Sequence, residues 1–370
     1  MQQQQQQTEI YYTTNMNHPE ITTNDIVSVL DRSSKAGNKK VPIFLGIYGL
    51  GKSHCGNEFA LKTGRQYIDF RLPYRTFNDV RGFGIPNRER GVMEWLVDED
   101  LPQDPNGSYA FHWEELTNAM PSVQKVAMQG MLDRKIGQYE FPKDTVMFAS
   151  GNRLAHKTGV ERMLAALADR LAIYHVRPDL DSYMNYLQSN GKSSEVLAYL
   201  SSNPTATYDF DITKWDSESN LPTFRSFDRL DELAASYEDT HEMCNDSLLR
   251  AHAAACVGAK HGEQFAQFIK LTSKVGDVGK MIEEADTCRI PNEIDIKWLI
   301  ACRSIVLANK ENLSQVLLLT HRLTDESNKD NQLQAMESFV GNTIKRRKPD
   351  LMRTKAMIDW HVKHGDALSS

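Results

Sequence analysis

The pattern of apolar and polar positions changes twice along the chain. Residues 1 to about 20 carry no periodicity: they are polar, with a Gln run from Gln2 to Gln7, and read as a flexible tail. Asn24 and Asp25 offer caps for a short helix through Ile26, Val27, Val29 and Leu30. From Val41, short apolar runs alternate with helical ones. Val41-Pro-Ile-Phe-Leu-Gly-Ile-Tyr48 reads as a buried strand ending in glycines. A helix from about Lys52 to Thr63 follows and stops at Gly64. Gln66 to Leu72 and Tyr109 to Trp113 read as the next strands. Pro121 opens a helix over Ser122 to Asp133, and strands follow at Thr145 to Ser150 and Leu171 to Val176. This alternation predicts an α/β fold, a parallel sheet flanked by helices.

After Pro178 strands become scarce. Helical stretches run at Asp181 to Gln188, Ser194 to Ser201, Ser226 to Tyr237, Leu248 to Val257, Glu263 to Leu271 and Ile294 to Ala308. The expected organisation is a tail over 1–20, an α/β domain over 21–178, a helical lid over 179–260 and a C-terminal helical extension over 261–370.

Composition narrows the picture modestly. With 40% hydrophobic and 25% charged residues, the chain is not wholly disordered or fibrous. A net charge of -6 argues against a nucleic-acid coat. Lys345-Arg-Arg-Lys348 is a local basic run, either a solvated helix end or a contact for phosphate or a partner. The five cysteines form no CxxC pair and read as reduced thiols of a cytoplasmic protein. Val41 to Leu50 is the most apolar stretch, about half of the roughly 20 residues a spanning helix needs, so no membrane association is expected.

The sharpest chemical signal is Gly46-Ile-Tyr48-Gly49-Leu50-Gly51-Lys52-Ser53. It fits the P-loop (Walker A) pattern G-x-x-x-x-G-K-[ST] and lies between a predicted strand and a predicted helix. Glycines let backbone N–H groups converge on an anion, and the helix start adds its positive dipole end. Lys52 can reach outer phosphates of ATP and Ser53 can hold Mg²⁺; His54 completes the candidate loop. The strand Tyr109 to Trp113 ends in Glu114-Glu115. There Glu114 can face the metal and Glu115 can activate water; otherwise both are solvated charges. Gly151-Asn152 ends another strand, where Asn152 can position water or simply make a turn. Arg170 precedes the fifth strand and can reach a neighbouring subunit's phosphate, or pair locally with Asp169. Arg225 opens the first long helix past Pro222 and can touch nucleotide from a second domain.

Weaker features complete the set. Asp79-Val-Arg81-Gly82-Phe83-Gly84 reads as a Gly-containing loop in which Arg81 or Phe83 can meet a substrate. His54 with Cys55, and His241 with Cys244, do not complete a four-ligand metal site.

The order of Walker A, acidic pair, Asn152, Arg170 and Arg225 resembles that of an AAA+ ATPase. The MoxR-like branch, found in phage and bacterial genomes, is the most similar. That resemblance covers about Val41 to Tyr237. Its most specific part runs through Leu101-Pro, Gly107, Glu115-Leu, Ala119, Val123-Gln124, Asp133-Arg-Lys-Ile-Gly-Gln-Tyr-Glu-Phe-Pro142, Ala149 and Gly151-Asn152. It implies that Asn152 is sensor 1, Arg170 the arginine finger and Arg225 sensor 2. It further implies a homo-oligomeric ring, expected to be a hexamer, in which ATP binds with Mg²⁺ at subunit interfaces and hydrolysis drives chaperone-like remodelling. A von Willebrand factor A-type partner is also expected from it. The chain departs from the family at Glu114, where Asp is usual, at Trp113, at Tyr48 and at Phe224. The second reading is a nucleotide-dependent assembly switch with slow hydrolysis, or a DNA-directed motor supported only by Arg81 and the 345–348 run.

Overall fold

The computed structural model describes residues 19–153, 163, 165–215, 218–272, 275–324 and 331–364. The Gln-rich tail through residue 18 and Arg162, a weaker candidate for the same interface as Arg170, lie outside the described residues. The described chain forms two compact units. The first holds residues through Asp179 together with Asp211–Lys214; the second holds Leu180–Phe210 and the residues from Trp215 onward.

In the first unit the elements are β1 (Glu20–Ile21), α1 (Thr23–Lys35), β2 (Val41–Leu45), α2 (Lys52–Thr63), β3 (Gln66–Arg71), α3 (Phe77–Arg81), β4 (Phe83–Asn87), β5 (Val92–Leu96), β6 (Tyr109–Glu114), α4 (Pro121–Asp133), β7 (Lys135–Ile136), β8 (Tyr139–Glu140), β9 (Thr145–Gly151), α5 (Ala165–Ala168) and β10 (Leu171–Val176). The main sheet has the order β1-β10-β2-β9-β6-β3, and every pairing in it is parallel. Parallel strands need long crossovers, and the intervening helices supply them. The fold is therefore the expected α/β sheet flanked by helices.

Strand alternation gives the sheet two unlike faces. Ile43, Phe70, Phe111, Trp113, Met147 and Ala149 point into one apolar core, which Val123, Val126, Ala127 and Met131 of α4 close. Trp113 fits there because α4 carries Gly130: a Cβ at that position would lie 2.8 Å from the indole ring. The opposite face carries Tyr67, Asp69, Arg71, His112, Glu114, Phe148 and Ser150, the residues that alternate with the core positions. α2 covers part of this face, and Gly56 permits the approach, since a Cβ there would lie 2.5 Å from Phe148.

Helix ends follow local chemistry. Thr22 caps α1, and Asp25 returns the bond by accepting from the Thr22 N–H at 2.8 Å. The helix thus starts just before the expected Asn24–Asp25 caps and runs past Leu30 to Lys35. Gly64 closes α2 in a left-handed conformation with φ 67°.

The segment read as a Gly-containing loop is instead the end of α3 and an antiparallel hairpin, β4–β5. Gly82 turns the chain with φ 93°. The Arg81 guanidinium lies 5.0 Å from the Trp95 ring centroid, while Phe83 is exposed. A second hairpin, β7–β8, stands before β9.

The described elements of the second unit are helical. They are α6 (Leu180–Asn190), α7 (Ser194–Ser202), α8 (Phe224–Ala234), α9 (Thr240–Asn245), α10 (Leu249–Val257), α11 (Ala259–Thr272), α12 (Val278–Glu283), α13 (Ile294–Leu307), α14 (Leu313–Leu323), α15 (Asn331–Arg347) and α16 (Lys355–His364), with a 3-10 turn at Pro349–Arg353 between the last two. Tyr199 meets Phe265 edge-on at 5.5 Å in the core.

The basic run finds a use that neither sequence reading anticipated. Arg347 donates to the carbonyls of Leu187 at 2.7 Å and Gly191 at 3.0 Å, and Arg346 donates to that of Asn185 at 3.0 Å. Leu187 and Gly191 lie at the C-terminal end of α6, and Asn185 near its middle. Lys348 donates to Val306 and Ala308 at the end of α13, at 2.6 and 2.5 Å. Cations there satisfy the last carbonyls and oppose the negative end of each helix dipole. Among the described residues, no helix is long and apolar enough to cross a membrane.

Candidate functional site

Except for Arg170, which precedes β10 at the opposite, N-terminal edge, the candidate residues of the first unit gather at the C-terminal edge of the sheet. The loop Gly46–Gly51 leaves β2 and enters α2. Gly49 and Gly51 have φ of 74° and 86°, which only glycine adopts without strain. Gly46 is packed so closely that a Cβ would lie 2.8 Å from the Val176 carbonyl oxygen. Leu50 is buried, Tyr48 half-buried and His54 exposed on α2. Burial pushes the Tyr48 phenol up to about 12. Lys52 Nζ lies 3.0 and 2.9 Å from the carbonyl oxygens of Gly46 and Ile47, so its charge sits at the mouth of the loop. The first-turn N–H groups of α2 have no carbonyl acceptor within the helix by its geometry, and they face the same loop.

Glu114 comes from β6, two strands away from β2. Its side chain is buried, and the Ser53 hydroxyl donates to Oε1. On the other side Arg71, aligned with it on β3, reaches Oε2 at 2.7 Å. Burial pushes the Glu114 carboxyl upward, but the hydrogen bonds with Ser53 and Asp69 and the nearby positive charges outweigh it, leaving Glu114 below the usual range. Asp69 behaves oppositely. Burial, then the hydrogen bond and charge of Glu114, push it up to about 6. Between the two carboxyls, the proton belongs to Asp69.

Glu115 follows directly but stands differently. It is exposed and left-handed, with φ 56° and ψ 39°. That conformation costs a non-glycine residue about 1–2 kcal/mol. Asn152 leaves β9, between the P-loop strand and the acidic strand. Its backbone is stitched to Thr117, whose hydroxyl accepts from the Asn152 N–H at 2.9 Å and lies 3.2 Å from its carbonyl.

The structure therefore brings the loop 46–53, Glu114, Glu115 and Asn152 to one sheet edge. Arg170 is also in this unit but exposed, donating to the Ala166 carbonyl at 2.9 Å. Arg225 lies in the second unit, exposed in the first turn of α8, which Thr223 caps.

Four side chains of this site were not singled out from sequence. Asp69, Arg71 and His112 alternate with Ile68, Phe70, Phe111 and Trp113, and that alternation is the signal that would have found them. Thr117 carries no such mark. Asp69, His112 and Glu114 place potential ligand atoms within 4.8 Å of one another. The His112 nitrogens are engaged elsewhere, however: Nδ1 lies 2.9 Å from the Tyr67 hydroxyl and Nε2 2.8 Å from Ser150 Oγ. Full burial pushes this imidazole down to about 4, so it is neutral at physiological pH. What remains is an oxygen donor set of Ser53, Glu114 and Asp69, the chemistry that suits Mg²⁺.

No protein-family model matches the chain, and no curated protein matches it. Among solved structures, it is similar to a protein of Cytophaga hutchinsonii ATCC 33406 provisionally described as an ATPase. That match has 16% identity and a TM-score of 0.34 and covers 45% of this chain. It spans about half of the Cytophaga protein, 53% of its length. The chain is also similar to NtrX of Brucella abortus, determined in complex with ADP. There the identity is 11% and the TM-score 0.33, over 98% of this chain and 72% of that one. At such scores neither likeness bears on what this chain does.

Proposed function

We propose that the first unit binds and hydrolyses ATP, in the manner of a MoxR-like AAA+ ATPase. One observation carries this reading. A glycine-rich loop at a helix start places Ser53 in hydrogen-bond contact with a buried carboxylate, Glu114, at the C-terminal edge of a parallel sheet. Ligands of open α/β sheets bind at that edge.

Each residue has a part that its position supports. The loop 46–53 and the start of α2 hold the phosphates, with Lys52 on the outer ones. Ser53 and Glu114 hold Mg²⁺, assisted by Asp69 once it ionises. When bound, Mg²⁺ offsets phosphate charge and stabilises the departing diphosphate. The exposed Glu115 carboxylate accepts a proton from the attacking water, and Asn152 orients that water. Arg170 reaches the phosphate of an adjacent copy in a homo-oligomeric ring. Such a ring, with six copies expected, would remodel a protein client, with a von Willebrand factor A-type protein as the expected partner.

The test is phosphate release and ATP binding by the full chain at several protein concentrations. Lys52→Ala should abolish both. A finger supplied by a neighbour contributes about 10³–10⁵ in rate, so activity per chain should rise with concentration and collapse in Arg170→Ala. Equal phosphate release by the parent protein and Lys52→Ala would end the ATPase reading. Activity indifferent to concentration and to Arg170 would end the ring-finger part alone. ATP-dependent assembly without turnover would favour the switch.

A further inference from the structure

We propose that His112 is a positioning residue, an internal strap that fastens the P-loop helix to the acidic strand end and thereby sets the backbone of Glu115. The inference deepens the ATPase reading above and rests on it.

His112 occupies the middle of β6 between Phe111 and Trp113, and it is fully buried. A polar ring is costly there unless every polar atom is satisfied. Here both nitrogens have partners, and the ring lies nearly parallel to Phe148, with centroids 4.5 Å apart and planes 16° apart. The hydrogen bonds continue outward at both ends. The Tyr67 hydroxyl lies 3.3 Å from the Ser53 carbonyl oxygen. Ser150 Oγ lies 3.4 Å from the Glu115 backbone nitrogen. One imidazole thus connects α2, β3, β6, β9 and the residue after β6.

The two ends set the direction of every proton in the chain. A carbonyl only accepts and a backbone N–H only donates. Tyr67 therefore gives its proton to Ser53, and its oxygen accepts from His112 Nδ1–H. Ser150 accepts from the Glu115 N–H and gives its own proton to Nε2. A single neutral tautomer satisfies all five residues. Any apolar residue at 112 would leave the Tyr67 and Ser150 hydroxyls short of a partner.

Both residues at the ends of this strap belong to the proposed chemistry. Ser53 carries the hydroxyl that meets Glu114. Glu115 is the left-handed residue, a conformation that persists only when its surroundings hold it. The strap ends on the N–H of that same residue. Its loss should therefore disturb water activation at Glu115 more than the phosphate grip of Lys52, which no link of the strap touches.

Steady-state ATP hydrolysis by the full chain tests this, with parent and Lys52→Ala as references. His112→Phe keeps the stack on Phe148 and removes both nitrogens. It should lower kcat by roughly 100-fold, the scale of a small misplacement of a reacting group, with KM for ATP nearly unchanged. Ser150→Ala and Tyr67→Phe each remove one hydroxyl and with it two of the four hydrogen bonds, and should give losses of the same kind, larger for Ser150→Ala because Ser150 is the group that meets Glu115. His112→Gln, whose amide can still meet Ser150, should recover part of kcat. A folded His112→Phe with parental kcat overturns the proposal. If that variant does not fold, parental kcat in Ser150→Ala overturns it instead. So does a loss seen only as raised KM, which would assign the strap to binding. If parent and Lys52→Ala release phosphate equally, the ATPase reading falls and the strap's role in it falls as well.

Discussion

Two regions of this molecule bury charge, and they do so to different ends. In the second unit, Glu195 in the first turn of α7 is buried and fully enclosed by donors. Arg303 reaches it at 2.9 Å and Thr240 at 2.8 Å, while the hydroxyls of Ser193 and Ser194 complete its other oxygen at 3.1 and 3.0 Å. That cluster closes on Glu195 itself, with Arg303 only partly exposed. At the sheet edge of the first unit, Glu114 is equally buried, yet its neighbours lead to an exposed carboxylate, a lysine over a loop and a helix start. The contrast teaches that a buried, paired carboxylate marks strong local electrostatics and nothing more. Function is argued from convergence of unlike groups on an open edge.

The comparison can be broken most decisively at Glu115. Glu115→Gly removes the proposed base and should reduce phosphate release by about 10²–10⁴-fold. It also relieves a left-handed side chain, so it should raise stability by up to about 1 kcal/mol after the entropy cost of glycine. A denaturant melt and an ATPase assay on the same sample check both. Lower stability with normal turnover would place Glu115 among structural residues.

The mirror experiment lies in the second unit. Arg303→Ala leaves Glu195 buried beside fewer donors. Breaking a buried pair costs about 3–5 kcal/mol, and the partial exposure of Arg303 brings the expectation to roughly 2–3 kcal/mol. ATP affinity should be unchanged, as titration with the nucleotide would show. A loss of affinity comparable to the loss of stability would erase the distinction between the regions.

The smallest expected effect is a pH dependence. Asp69 is raised from 3.8 to about 6 in the folded chain. The native state therefore binds the proton more tightly than the unfolded one. Its contribution to stability is fully present below about pH 4 and is lost as pH rises through about 6. Asp69→Asn should flatten that part of the stability profile, measured by urea melts across this range without Mg²⁺. An unchanged profile would mean that Asp69 does not carry the proton.

Much of the site was legible before the fold was known, because its signals are local. The glycine spacing from 46 to 51, the adjacent Lys52-Ser53 and the Gly64 stop are properties of one strand–loop–helix segment. The apolar runs at 41–48, 109–113, 145–150 and 171–176 locate the strands for the same reason. Less was legible where a residue's role depends on a partner far along the chain. Arg71 looks like any strand-end arginine until β3 lies beside β6. The basic run 345–348 looks like a solvated patch until Arg347 and Lys348 meet the ends of α6 and α13. The β4–β5 hairpin escaped notice because its apolar residues are largely exposed and its glycines suggest a loop.

What the amino-acid order determined by itself was the periodicity, the turns and the loop chemistry, since backbone sterics and nearest-neighbour hydrogen bonds act over a few residues. Which strands became neighbours was decided only by packing in three dimensions, and with it the meeting of Ser53 with Glu114, of Tyr67 with His112 and of Ser150 with Glu115. Those pairings join positions 35 to 61 residues apart. Their energy exists only once the sheet has assembled and water has been expelled from between its strands and α2.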